Sequence, residues 1–263
     1  MIRAMGTAAS GMKAQQLNID TIANNLANVN TTGYKKSSAE FQDLLYEKVM
    51  PGGLVDGEGR ALPTRVEVGH GVKLVATNKS FTQGTVVSTG NPLDLMIEGD
   101  GFFQLTMPDG TIKYTRDGSF KMDADRSVVT SQGYRLEPEI TIPEDAVELS
   151  ISRDGIVSVM VAGDDANVQE IGQIELARFP NAAGLTARGG NIFAESPASG
   201  TPLLANPGLD GMGETSAGFL EMSNVETVDE LVSMISAQRA YELNSKTITM
   251  ADEMLQTVNR LKR

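Results

Sequence analysis

The stretch ANNLANVNTTGYKK, residues 23–36, sets four asparagines (Asn24, Asn25, Asn28 and Asn30) into the end of a segment whose apolar residues keep a helical period. Asparagine weakens helices, because its side chain competes for backbone hydrogen bonds. Upstream, Met1, Met5, Ala8, Met12, Gln15, Ile19, Ile22, Leu26 and Val29 alternate spacings of four and three, with only Gln15 polar. That is an a/d heptad seam. The rest of the segment is nearly uncharged, Arg3, Lys13 and Asp20 being its only charges before Thr31, its other face is amide and hydroxyl, and Gly33 is placed to end it in a left-handed turn. About 29 residues of helix would be roughly 43 Å long. A helix this weak alone is expected to order mainly on assembly, its outer amides hydrogen-bonding to neighbouring chains.

The other end of the chain repeats the pattern. Met234, Tyr241, Ile248 and Leu255 stand seven apart, with Ala237, Asn244, Ala251 and Val258 three residues on. Thr227 and Glu230 have the spacing of a capping box. Acidic residues gather at this helix's start and basic ones at its end, Arg260, Lys262 and Arg263, as the helix dipole favours. Two terminal helices therefore each carry an apolar stripe. Such stripes serve either to pack on a central domain or to pair with each other and with other copies. The strict a/d spacing and the terminal placement favour pairing.

Between them the punctuation changes. Phe102 to Thr106, a PDG turn and Thr111 to Thr115 form a hairpin pattern, and ELSISRDGIVSVMV repeats it across Asp154-Gly155. No long helical period occurs there. The predicted fold class is α+β: N- and C-terminal helices forming an α-helical coiled coil, and a central, mostly antiparallel β domain. The expected divisions are an N-terminal helix at 1–33, an extended connector at 34–71, the β core at 72–222 and a C-terminal helix at 223–263.

Composition excludes several functions. The chain of 263 residues has no cysteine, which removes disulfides, thiolate metal sites and a cysteine nucleophile. Its single histidine, His70, cannot build a His metal cluster, and its GHGV setting is that of a loop. The net charge of −12 sits in the middle of the chain, which argues against nucleic acid as a partner. No apolar run reaches the ~18 residues of a membrane helix. The N-terminus lacks a cleavable secretory signal's apolar core. Asp123, Asp125 and Ser127 lack the remaining ligands of a calcium loop, and the pairs Glu144-Asp145 and Asp164-Asp165 are expected at a solvated surface. No catalytic residue, metal, cofactor or small-molecule substrate is expected.

Three motifs then become specific. NNLANVNTTGYKK resembles the N-terminal signature of the bacterial flagellar rod and hook family, through Asn24, Asn25, Asn28, Gly33 and Tyr34. SNVETVDELVSMISAQRAYELNSKTI resembles its C-terminal signature, through Ser223, Asn224, Val225, Gln238, Arg239 and Asn244. NPLDLMIEGDGFFQL and YTRDGSFKMDADRSVVTSQGY resemble its shared core domain, and the remaining β segments are most similar to distal-rod members. The resemblance implies a structural subunit of the basal-body rod. Its terminal seams would build an inner tube, and copies would stack as a helical homo-polymer. The partners implied are proximal rod proteins, the hook protein, the ring (bushing) proteins and the flagellar type III export apparatus, which would deliver it to the periplasm without a cleaved signal. Proximal rod or hook protein is the alternative within the family, and a secreted peptidoglycan-active enzyme the alternative outside it. One departure stands out: the family's usual glycine in the turn after Asp125 is replaced here, where Arg126 and Ser127 stand.

Overall fold

The computed structural model describes residues 2–50, 66–161 and 168–261. Met1, the central part of the connector, Asp164-Asp165, Lys262 and Arg263 lie outside the described residues. Two compact units are formed: one from Met1–Leu26, Ser37–Asn78 and Glu226–Arg263, the other from Ala27–Lys36 and Lys79–Val225.

The first unit holds both long helices, α1 (Ile2–Ala27) and α2 (Thr227–Leu261). They run antiparallel: Asn25 meets Glu230, and Gly11 lies so close to Asn244 that a Cβ there would stand 3.0 Å from the amide nitrogen. Within 34–71, and just beyond, the chain forms strands β1 (Ser37–Asp43), β2 (Tyr46–Met50), β3 (Val66–Gly69) and β4 (Val72–Lys79), paired β1 with β4 and β2 with β3. The Val72 N–H donates to Ser10 Oγ at 3.3 Å, so a second face of α1, with Ala14 and Leu17, is covered by β4. His70 lies in the turn after β3, its Nε2 3.8 Å from Glu47, which also pairs with Arg3.

The second unit is antiparallel β. In chain order its strands are β5 (Val86–Ser88), β6 (Leu95–Glu98), β7 (Phe102–Thr106), β8 (Ile112–Thr115), β9 (Phe120–Met122), β10 (Val128–Thr130), β11 (Arg135–Glu137), β12 (Ala146–Ile151), β13 (Ile156–Val161) and β14 (Val168–Gln173). There follow β15 (Leu176–Arg178), β16 (Thr186–Gly189), β17 (Ile192–Ala194), β18 (Leu203–Ala205), β19 (Glu214–Ala217) and β20 (Phe219–Glu221). A nine-stranded sheet has β7 between β8 and β11, and a separate sheet orders β12-β13-β14. The alternation of β7 divides the core in two. Phe103 and Leu105 join Leu95, Ile97, Phe120, Leu136 and Val159 in the larger cluster, while Phe102 joins Tyr114, Phe179 and Phe193. Each such buried side chain contributes ~1.5–3 kcal/mol. The hairpins expected across Pro108–Gly110 and Asp154-Gly155 are present as β7–β8 and β12–β13.

The turn between β9 and β10 shows the conformation for which a glycine is suited. Arg126 donates its N–H to the Asp123 carbonyl and holds φ at +61°, the left-handed region that costs an L-residue roughly 1 kcal/mol. Its ion pair with Glu144, at 3.6 Å and exposed, contributes little in return. Arg126→Gly is therefore expected to raise stability by about 0.5–1 kcal/mol in chemical denaturation.

Candidate assembly site

The asparagines at the end of α1 have a local role. Asn25 is 1% exposed. Its Oδ1 accepts from the Ser37 N–H at 2.9 Å, and its Nδ2 donates to the Ser37 carbonyl at 2.8 Å and to Glu230 at 3.2 Å. Ser37 begins β1 and Glu230 is in the first turn of α2, so one amide ties three chain segments. For Asn25 alone this differs from the expectation that the N-helix amides face neighbouring chains: it is satisfied within its own subunit. The helix also stops at Ala27, before the Val29 of the predicted seam. Asn28 then accepts from the Thr31 hydroxyl at 3.2 Å.

Five of the signature residues, Gly33, Tyr34, Ser223, Asn224 and Val225, fall in the β unit, near one buried carboxylate. Glu221 is 2% exposed. Its Oε1 accepts from Lys35 Nζ at 2.6 Å and the Gly84 N–H at 2.9 Å, and its Oε2 faces Arg116 Nε at 3.2 Å. Lys35 also donates to the Thr82 carbonyl, and Arg116 to the Gly99 and Gly101 carbonyls. Asn224 knits the same neighbourhood. Its Oδ1 accepts from the Lys36 N–H at 2.7 Å, and its Nδ2 donates to the Ser80 carbonyl at 2.9 Å and to Thr82 Oγ1 at 2.9 Å. Gly33 takes φ +65° and lies against Arg116 and Asp117, where a Cβ would come within 2.6 Å of the Asp117 nitrogen. Tyr34 is buried, with the Lys79 ammonium 5.2 Å from its ring centre. Ser223 and Val225 are buried on either side of Asn224.

Burial pushes the Lys35 pKa below its ordinary 10.5; Glu221 pulls it back, and Arg116 pushes it further down. Arg116 is lowered by its own burial, against Glu221 and Asp100. The cluster thus holds two cations on one anion. Sequence reasoning passed over Lys35, Arg116 and Glu221, because nothing in a linear pattern marks charges 186 residues apart as partners.

The predicted seams lie on the helices of the first unit. On α1, Ile22 is buried, and Met5, Met12, Ile19 and Leu26 are half-buried; Met1 lies outside the described residues. On α2, Ala237 and Ala251 are buried, Met234, Asn244, Ile248 and Leu255 are half-buried, and Tyr241 and Val258 are exposed. Gln238 and Arg239 lie exposed on the same helix. A second apolar stripe, absent from the sequence reading, runs along the opposite side of α2: Val228, Val232, Ile235, Leu243, Met250, Met254 and Leu261, each between 48% and 82% exposed. Turning the sequence by 100° per residue separates it from the a/d seam.

Comparisons with known proteins follow the same three stretches. Residues 5–35 match the flagella basal body rod protein family, 96–159 the D1 domain of the flagellar hook protein FlgE/F/G, and 216–261 the flagellar basal body rod FlgEFG protein C-terminal family. These describe an axial protein of the bacterial flagellum. The chain is 52% identical over 265 residues to the flagellar basal-body rod protein FlgG of Borreliella burgdorferi, covering 100% of both. It is 46% identical to that of Caulobacter vibrioides, over 99% of this chain and 100% of the relative. It is 41% identical to that of Bacillus subtilis, over 100% of both. The chain belongs to the FlgG family of flagellar basal-body rod proteins, as a structural, non-enzymatic subunit of the distal rod.

Two sets of variants test the site. Glu221→Leu leaves Lys35 and Arg116 buried without a counter-charge, and should cost about 3–5 kcal/mol. Lys35→Met leaves Arg116 and Glu221 balanced and should cost under about 2 kcal/mol. A base whose pKa falls on folding destabilises while protonated, and that loss is recovered as pH rises towards 10.5. The stability of wild type relative to Lys35→Met should therefore rise with pH through the alkaline range. Asn25→Ala, which orphans the Ser37 backbone, should cost about 2–3 kcal/mol by thermal or chemical melting.

Proposed function

We propose that this subunit self-assembles helically through its terminal helices into the stiff driveshaft of the distal rod. The inner tube is a coiled coil built from the a/d seams of α1 and α2, and the β unit forms the outer layer. The observation that carries this reading is the two-sided apolarity of α2. One side meets α1 within the subunit, through Asn244 at Gly11 and Glu230 at Asn25. The other exposes Leu243 at 66% and Val232 at 58%. An apolar stripe on a helix is ordinarily covered by a packing partner, and this second one has none within the described residues of the single chain. Each of these side chains offers ~1.5–3 kcal/mol on full burial, more than a surface helix needs for its own folding.

In this reading the rod joins proximal rod proteins to the hook protein and turns within the ring proteins. It crosses the periplasm after delivery by the flagellar type III export apparatus. The names of the relatives, all basal-body rod proteins, support the location.

Leu243→Asp tests the assembly face. Leu243 is exposed in the single chain, so the variant should keep the wild-type melting curve. Electron microscopy of the purified full chain at rising concentration should show filaments for wild type and none for Leu243→Asp. Filaments from the variant at the wild-type concentration would refute the assignment of this face.

A further inference from the structure

The β unit carries a preformed aromatic pocket that the helical seams leave unused. A cavity of about 240 Å³ is lined by Phe81, Phe102, Phe179 and Ala182, with Arg116, Arg178 and Asp100. The rings fix one another edge to face, Phe81 on Phe102 at 5.3 Å and Phe102 on Phe179 at 5.8 Å, so the walls need no reordering to receive a guest. Arg116 is already matched by Glu221. Arg178 is half-buried and donates to the Asp210 carbonyl at 3.4 Å, and its cross-strand partner Leu203 is 59% exposed. The pocket therefore suits an aliphatic side chain flanked by a carboxylate.

The same unit displays such a side chain elsewhere. Val147 is 73% exposed on β12, an edge strand. The register of β12 on β13 shifts between Ala146 and Glu148, leaving Val147 as the bulged residue. Bulges re-aim side chains out of a sheet, and they recur where a strand serves a site. Glu144, Asp145 and Glu148 surround it in sequence, and all three are exposed. Among the exposed aliphatic residues of this unit, none other has three carboxylates within three positions.

We propose that the aromatic pocket takes Val147 from a second copy of this chain, with that copy's Glu148 against Arg178. Knob and socket are different patches of one surface, so the contact is head-to-tail, the kind that repeats from copy to copy along a helical polymer. The inference rests on the polymer reading above and gives the outer layer its own subunit contact.

Charge reversal tests it on the full chain. Arg178→Glu and Glu148→Arg should each keep the wild-type melting curve and each raise the concentration needed for filaments at least tenfold. Mixed one to one, they should form filaments again: the acidic rim of the first accepts the basic knob of the second, and the unaltered rim of the second accepts the unaltered knob of the first. Val147→Ala, which removes only methyl groups, should weaken assembly without charge change. Wild-type assembly by either single variant, or a mixture that stays monomeric, would overturn the contact while leaving the helical polymer standing. A wild-type chain that never forms filaments would overturn the polymer reading itself, and the contact with it.

Discussion

Glu221 is one carboxylate held out of water between two cations, and the organisation of the β unit follows from its need to stay there. Removing three charges from water costs several kcal/mol each before any pairing. Hydrogen bonds offset part of that cost: Lys35 to Thr82, Arg116 to Gly99 and Gly101, and Glu221 Oε1 to the Gly84 backbone, while Glu221 Oε2 is held by its ion pair with Arg116 alone. Those partners lie on stretches far apart in the chain. The residues that follow α1, the loop before β5, the turn into β7 and the strand that precedes α2 must all be in place together.

The same logic operates in the helical unit, with amides in place of charges. The chain passes between its two units after Leu26, Lys36, Asn78 and Val225. Asn25 and Asn224, each within its own unit, stand beside these passages and satisfy backbone groups that regular structure leaves open. Backbone groups next to a passage from helix to strand lack ladder partners, and buried ones must find a side chain. Asparagine supplies a donor and an acceptor on one short stem, which is why it recurs there at the expense of helix propensity.

Fixing the roots of the helices leaves their lengths free to serve a different purpose. Beyond Asn25 and Glu230 the pair is held by small contacts such as Gly11 on Asn244, where a glycine lets a side-chain amide approach closely. Most seam positions stay half-covered, and α2 presents a further stripe to solvent. That open apolar surface lies within the helical unit itself, where the contacts between α1 and α2 leave it uncovered.

Period and turn chemistry determined a good deal without any coordinates: two terminal helices and an antiparallel centre with hairpins at Pro108–Gly110 and Asp154-Gly155. These are legible because each depends on neighbours within a few residues, through side-chain periodicity or turn chemistry. The tertiary structure alone decided which polar residues are buried. Asn25 is indistinguishable in sequence from Asn24, yet one joins three segments and the other lies on an exposed face. Lys35, Arg116 and Glu221 look like ordinary surface charges until folding brings them together. The stripe on α2 was open to a wheel projection, but the heptad seam masked it. Local patterns fix which face of an element is apolar; only the packing of distant segments determines which groups lose water, and so which polar contacts must form.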